Sequence, residues 1–159
     1  MLRVLITGMS GTGKTSALEM LGERGHRIVD TDTDEWSRWT TDRDGSSDWI
    51  WREDAMTELL TGHTEGKLFV SGCKTNQVNF YHLFEHIALL SAPVEIMLER
   101  ITSRSNNPYG KSAEEREAII ENHAFVEPLL RRSATVEIDT STALDEVVRR
   151  LDDLAAPRS

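Results

Sequence analysis

The segment Gly8-Met9-Ser10-Gly11-Thr12-Gly13-Lys14-Thr15 places glycine, lysine and threonine at the spacing G-x-x-x-x-G-K-[ST]. A phosphate group carries several acceptor oxygens, and a loop of successive backbone N–H groups can wrap it only if glycine lets the chain turn and come close. In this pattern the lysine ammonium reaches the β- and γ-phosphates of a nucleotide, and the threonine hydroxyl ligates Mg²⁺. Gly8, Ser10, Gly11, Thr12, Gly13, Lys14, Thr15 and Ser16 are therefore candidate ATP contacts. Lys14 is also a catalytic candidate, and Thr15 a candidate metal ligand.

A second set of residues could do chemistry beside that loop. Asp30, Asp32 and Asp34 alternate along the chain just after the apolar run Arg27-Ile28-Val29. A carboxylate near Mg²⁺ can hold a metal-bound water, and another can accept the proton of an attacking hydroxyl. Asp30 is the candidate for the first role and Asp32 for the second, whereas Asp34 is expected to cap a following helix. Cys73 has no implied histidine partner, and the histidines at 26, 63, 82, 86 and 123 show no zinc spacing, so no transition-metal site is expected.

These groups need strands and helices to hold them. Leu2–Thr7 is a β-branched run suited to a buried strand, and Ala17, Leu18, Met20 and Leu21 recur at helical spacing after the loop. The helix N-terminus then faces the phosphates and adds its partial positive charge. Further strands are expected at 27–30, 67–71, 87–90 and 136–139. Helices are expected at 48–60, from Pro93 onward, from the capping box Ser112-Ala113-Glu114-Glu115 at least to Glu127, and after Thr142, which with Asp145 can cap the last one. Pro128 is expected to kink that late helix or end it. Strands alternating with helices imply an α/β fold: a five-stranded parallel sheet with helices on both faces, in the three-layer manner of P-loop NTPases. Ligands in such sheets lie beyond the carboxyl ends of the strands, which gathers 8–15, 30–34, 71–77 and 139–144 on one edge.

The 159 residues fit one domain, with a net charge of −9 and a pI near 5.0. That charge argues against broad attraction to nucleic acid or anionic membrane. No apolar run approaches the roughly 18 residues of a membrane span, and no leader pattern precedes the first strand, so a cytoplasmic protein is expected. Trp36, Trp39, Trp49 and Trp51 are a heavy aromatic load for one acidic stretch; they either pack a core or line a pocket for a ring-bearing substrate.

The sequence resembles the small P-loop kinases of the nucleoside monophosphate kinase type, shikimate kinase above all. The resemblance rests on residues 8–15, Val29-Asp30-Thr31-Asp32, the helix bearing Trp51-Arg52, Leu98-Glu99-Arg100, and Pro128-Leu129-Leu130-Arg131-Arg132 followed by Ile138-Asp139-Thr140. It implies a single kinase domain over 1–159 with ATP and Mg²⁺ as cofactors and a lid at about 103–112. It further implies that Asp30 lies near Mg²⁺ and that Asp32 contacts the acceptor hydroxyl. Arg100 would stack on adenine, Thr140 would flank it, Arg52 would face the acceptor, and Arg104 would reach the transferring phosphate from the lid.

Two departures bear on the acceptor. Shikimate kinases carry Gly-Gly-Gly after the third strand, where this chain has Ser71-Gly72-Cys73, and an arginine where it has Val126. Both changes weaken a carboxylate clamp, so shikimate is not the expected acceptor. Gly72-Cys73-Lys74-Thr75-Asn76-Gln77 looks instead somewhat like an adenylate kinase stretch, with Gly72, Lys74 and Gln77 as acceptor contacts. The expected activity is transfer of the γ-phosphoryl group of ATP to a hydroxyl or phosphate of a small molecule, including nucleoside- or nucleotide-like ones. A regulatory P-loop ATPase or nucleotide switch is the alternative, and an antibiotic-modifying phosphotransferase a further one. Absence of a guanine motif, and of an acidic end to the third strand, favours the kinase. Asp42-Arg43-Asp44-Gly45 imitates a switch motif but follows no clear strand pattern.

Overall fold

A computed structural model of the chain describes residues 1–9, 11–103 and 112–155. β1 (Leu2–Thr7) leads through the glycine loop into α1 (Lys14–Glu23) and β2 (Arg27–Asp30). A hairpin of β3 (Ser37–Thr41) and β4 (Ser47–Trp51) follows, then α2 (Glu53–Gly62), β5 (Lys67–Ser71) and a 3-10 helix over Gln77–Leu83. The chain continues through β6 (His86–Ser91), α3 (Val94–Thr102), α4 (Ala113–Ser133), β7 (Val136–Asp139) and α5 (Leu144–Asp152). The central sheet has the order β2-β5-β1-β6-β7 and is parallel throughout.

Side chains two apart in a strand share a face, and this period sorts the core into layers. Leu2, Val4 and Ile6 join Phe69, Ala88, Leu90 and Ile138 beneath Ala17, Leu18 and Leu21 of α1 and Val147, Val148 and Leu151 of α5. On the other face Leu5, Leu68, Val70 and Ile87 meet Met56, Leu59 and Leu60 of α2, with Phe80. Leu89 packs on that side with Met97 of α3 and Leu130 of α4. The expected three layers and five parallel strands are present. Every strand runs the same way, so their carboxyl ends share an edge with the glycine loop.

The hairpin is the main departure from expectation. Residues 48–51 form β4 instead of the start of a helix, and α2 begins only at Glu53. The physical reason lies in alternation: Trp49 and Trp51 stand two apart, and Trp39 opposes Trp49 while Ser37 opposes Trp51. Large aromatics on a pleated face pair across strands better than along a short helix. Asp42-Arg43-Asp44-Gly45 is the turn of this hairpin, with Gly45 in the left-handed region and Asp42 N–H donating to Ser46 O at 2.8 Å. It is thus a turn following a strand, not a switch motif. Asp34 caps no helix, because the chain after it turns into β3.

Two late elements also differ. α4 runs through Pro128 to Ser133, and burial of Leu130 with the pairing of Glu127 to Arg131 at 3.4 Å offsets the hydrogen bond that the ring forgoes. α5 starts after Ala143 with no side-chain cap, while Thr142 donates to Asp139 O at 3.5 Å. Ser112 does cap α4, its hydroxyl accepting from Glu115 N–H at 3.1 Å.

At the edge opposite the glycine loop, the Asp152 carboxylate joins α5 to α1 and β5. Arg24 donates to it at 2.9 Å and Lys67 at 3.3 Å, and the His26 ring lies 2.8 Å away. The Arg24 hydrogen bond, followed by those of Lys67 and His26, holds the Asp152 carboxyl below its ordinary range. Such a group contributes stability above its unfolded pKa, and that contribution is lost as pH falls through the lower folded value. Asp152→Asn should therefore lower unfolding free energy by about 1–2 kcal/mol at neutral pH. The gap between variant and parent in urea unfolding should close on acidification below about pH 4; a gap that stays constant with pH would show the carboxylate charge to be irrelevant.

Candidate active site

α1 opens without a side-chain cap. Its N-cap is Gly13, held at φ 89°, which turns the chain so that the first amides of the helix face the loop. The hydroxyls of Thr15 and Ser16 stand exposed on that first turn. Thr12 is buried, and its hydroxyl donates to Met9 O at 2.8 Å, pinning the loop from inside. The Lys14 ammonium donates to Gly8 O at 2.5 Å and Met9 O at 3.2 Å, so its charge sits over the loop. Ser10 lies outside the described residues.

Beside the loop, α3 and β7 form a second wall. Arg100 donates to Gly11 O at 3.1 Å, to Thr140 Oγ1 at 3.0 Å and to Thr140 O at 2.6 Å. Its guanidinium thereby fastens the glycine loop to the segment after β7. Thr12, Gly13, Ser16, Arg100, Thr140, Leu144 and Val147 line a cleft of about 240 Å³ there. A flat cation on one side and two aliphatic side chains on the other suit a planar base. Arg100 and Thr140 are thus brought together with the loop.

On the other side of the loop stand the carboxylates. Asp30 ends β2, and its Oδ1 accepts from Asp32 N–H at 3.0 Å. The Asp32 side chain is 67% exposed, and its Oδ1 accepts from Lys74 Nζ at 2.8 Å and Trp49 Nε1 at 2.7 Å. The Lys74 hydrogen bond and charge, then the Trp49 N–H and the Lys14 charge, hold the Asp32 carboxyl below its ordinary range against a smaller opposing effect of burial. Lys14 belongs to that set only because loop and carboxylate share the sheet edge. Among the described residues, all side-chain hydrogen bonds of Asp32 fall on Oδ1, so Oδ2 remains able to accept another.

Three predicted acceptor contacts are placed differently. Gln77 is buried, donating to Thr7 Oγ1 and Tyr81 Oη at 3.1 Å each and accepting from Lys74 N–H at 2.9 Å. Its amide is engaged by the protein, so it positions the Lys74 loop and is too enclosed to touch an acceptor. Arg52 donates to Glu35 O at 2.9 Å and pairs with Asp54 at 3.5 Å, bracing the foot of the hairpin. Gly72 packs directly against Thr31 and the Trp51 ring, on the protein side of the loop. Arg104 and the rest of the expected lid between Ser103 and Ser112 lie outside the described residues.

This side is built by residues to which the sequence gives no settled place. Trp51 is fully buried; its Nε1 donates to Thr31 Oγ1 at 2.8 Å, and that hydroxyl donates in turn to Ser71 O at 2.8 Å. Asn76 bonds the Trp51 backbone both ways, accepting at 3.1 Å and donating at 3.0 Å, as a neighbouring strand would. Thr75 donates to Asp48 at 2.6 Å. The alternation Trp49-Ile50-Trp51, with Asp44-Gly45 before it, was the available signal for a hairpin.

A glycine loop between the central strand and the first helix, on a parallel sheet of this order, defines a P-loop nucleotide-binding domain. The chain belongs to the AAA domain family, whose model matches residues 4–121. Its fold is that of the small P-loop kinases of shikimate kinase type. Shikimate kinase from Acinetobacter baumannii in complex with shikimate is 18% identical with a TM-score of 0.62, over 95% of this chain and 90% of that one. Shikimate kinase from Bacteroides thetaiotaomicron is 16% identical with a TM-score of 0.69, over 96% and 97%. The Aquifex aeolicus enzyme is 15% identical with a TM-score of 0.62, over 94% of each. No curated protein matches the chain.

Gly72 offers a direct check on the packing beneath the site. A Cβ there would lie 2.5 Å from Thr31 Oγ1 and 3.1 Å from two atoms of the Trp51 ring, none of which can swing aside. Gly72→Ala should cost about 1–3 kcal/mol in urea unfolding and shift the emission of the buried indole. Unchanged stability and emission would mean that Trp51 does not seat against this backbone.

Proposed function

We propose that this protein transfers the γ-phosphoryl group of ATP to a hydroxyl or phosphate of a small-molecule acceptor. The observation that carries the reading is Asp32: an ionised carboxylate on the sheet edge of the phosphate loop, within electrostatic reach of Lys14, with one oxygen left to accept.

Each group then has a task. Amides of the loop and the first turn of α1 receive the β-phosphate, and Lys14 spans the β- and γ-phosphates. Arg100, Thr140 and the aliphatic wall receive the base. Thr15 and Asp30 fit Mg²⁺, since the first is an exposed hydroxyl and the second keeps one carboxylate oxygen free of hydrogen bonds among the described residues. That ion typically takes one or two protein oxygens with water and phosphate for the rest, and it would neutralise charge as the phosphates separate.

Asp32 Oδ2 accepts the acceptor hydroxyl and aims its oxygen at the γ-phosphorus. As the new P–O bond forms, the bond from phosphorus to the β–γ bridging oxygen breaks and ADP departs. The hydroxyl proton passes to Asp32 and from there to water. Because Lys74 keeps the carboxylate a weak base, its chief contribution is orientation, with proton acceptance late in the transfer.

Incubating the protein with ATP·Mg²⁺ and a panel of hydroxyl- and phosphate-bearing metabolites, with mass spectrometry of the products, tests the reading. Acceptor-dependent ADP formation with a product heavier by one phosphoryl group is expected; rapid hydrolysis independent of every acceptor would favour a regulatory ATPase. Lys14→Ala should lower kcat/KM by at least about a hundredfold, as expected for a charged contact that strengthens in the transition state. Asp32→Asn should lower kcat with little effect on ATP affinity measured by calorimetry. Lys74→Met should raise the Asp32 pKa and so move the acidic limb of kcat to higher pH, an unmoved limb showing that Asp32 does not govern it.

A further inference from the structure

The hairpin carries more than its own weight in tryptophan. Trp51, Trp49 and the cross-strand partner Trp39 share one hairpin face. Trp51 points into the core against Phe80, at 5.6 Å between ring centroids. The same face, followed outward, must carry the other two indoles past the core toward the sheet edge. Trp49 arrives at Asp32, and its ring lies 5.9 Å from Lys74 Nζ. Trp39 is 67% exposed, and its only ring partner among the described residues is Trp49, at 5.3 Å with a 48° tilt. A large aromatic surface thus stands open to water beside the Asp32 carboxylate.

We propose that the Trp39–Trp49 pair is the acceptor platform, and that the acceptor carries a flat aromatic or heteroaromatic ring joined to a hydroxyl- or phosphate-bearing arm. This rests on the kinase reading. The ring lies on the indoles while the arm reaches Asp32 and Lys74. A polyol ring would require several side chains to bond its hydroxyls, yet the polar groups around the platform are largely engaged by one another. Asp48 holds Thr75, Asn76 holds the Trp51 backbone, and Asp32 Oδ1 holds both Lys74 and Trp49. The platform offers π surface and few open hydrogen-bonding groups, which selects flat rings by stacking and leaves little to recognise a saturated one.

Adenosine and uridine as probes bearing a flat heteroaromatic ring, and myo-inositol and shikimate as probes whose ring is not aromatic, separate the possibilities in the full chain. Indole emission reports binding, and ADP formation with ATP·Mg²⁺ reports transfer. The expected result is saturable binding of at least one ring-bearing probe, weakened about tenfold or more in Trp39→Ala and restored in Trp39→Phe, with ATP affinity at the parent value. Trp39 packs on no core residue, so its removal leaves the fold intact; a thermal melt verifies this. Transfer to a probe without an aromatic ring at the parent rate in Trp39→Ala would overturn the platform and leave the kinase reading standing. Ring probes that bind through Trp39 while ATP turnover ignores every acceptor would do the reverse. Absence of ring-probe binding, or binding that Trp39→Ala does not weaken, overturns the platform.

Discussion

A single buried hydroxyl, that of Thr31, holds the acceptor side of this molecule together. It donates to the backbone of β5 and accepts the indole N–H of Trp51, so the sheet and the hairpin share one short relay. A buried polar group left without a partner costs on the order of 1–3 kcal/mol, and each of these three groups satisfies another. The relay sets how deep Trp51 sits. Trp51 in turn sets where Trp49 emerges, and Trp49 helps to hold Asp32. The chemistry proposed for an exposed carboxylate therefore depends on a hydrogen bond made entirely inside the protein.

The nucleotide side is built on a different plan. There the backbone supplies the binding groups, and side chains mainly keep the backbone in place: Thr12 from beneath the loop, Arg100 from its flank. Arg100 also grips the segment after β7, so one side chain ties the cleft beside α3 to the phosphate loop. A site whose donors are main-chain amides needs no large side-chain rearrangement to receive phosphate. The acceptor side, by contrast, relies on side-chain donors that already hold one another.

This contrast explains what could be read from the sequence. The loop at 8–15, the strands around it and the five-stranded parallel order follow from local patterns whose periods differ, two for strands and 3.6 for helices. Asp30 and Asp32 were legible because the ends of parallel strands gather on one edge. The hairpin is harder to read: its signal, the alternation after Asp44-Gly45, is three residues long and competes with a helix at 48–60, which leaves the tryptophans unexplained. Only the pairing of Trp39 with Trp49 makes sense of them, and that is a cross-strand fact. Gln77 was misplaced for the same kind of reason. An amide beside a loop reads as a ligand contact until Thr7 and Tyr81, distant in sequence, are seen to use it. Pro128 reads as a helix end until the burial of its neighbours is known.

The hairpin leaves the body of the protein and returns to it at almost the same point, since Arg52 N–H donates to Trp36 O at 2.7 Å across its base. An excursion whose two ends are already clamped adds little loop-closure entropy when it grows or shrinks, because that term rises only with the logarithm of length. Its tip at Gly45 touches none of the phosphate machinery. Natural variation or laboratory exchange can thus act on 38–48 as a cassette, while Trp49 and Trp51 keep their hold on Asp32 and the core. The phosphate loop stays constant while the face proposed to meet the acceptor is rewritten in one contiguous stretch of gene.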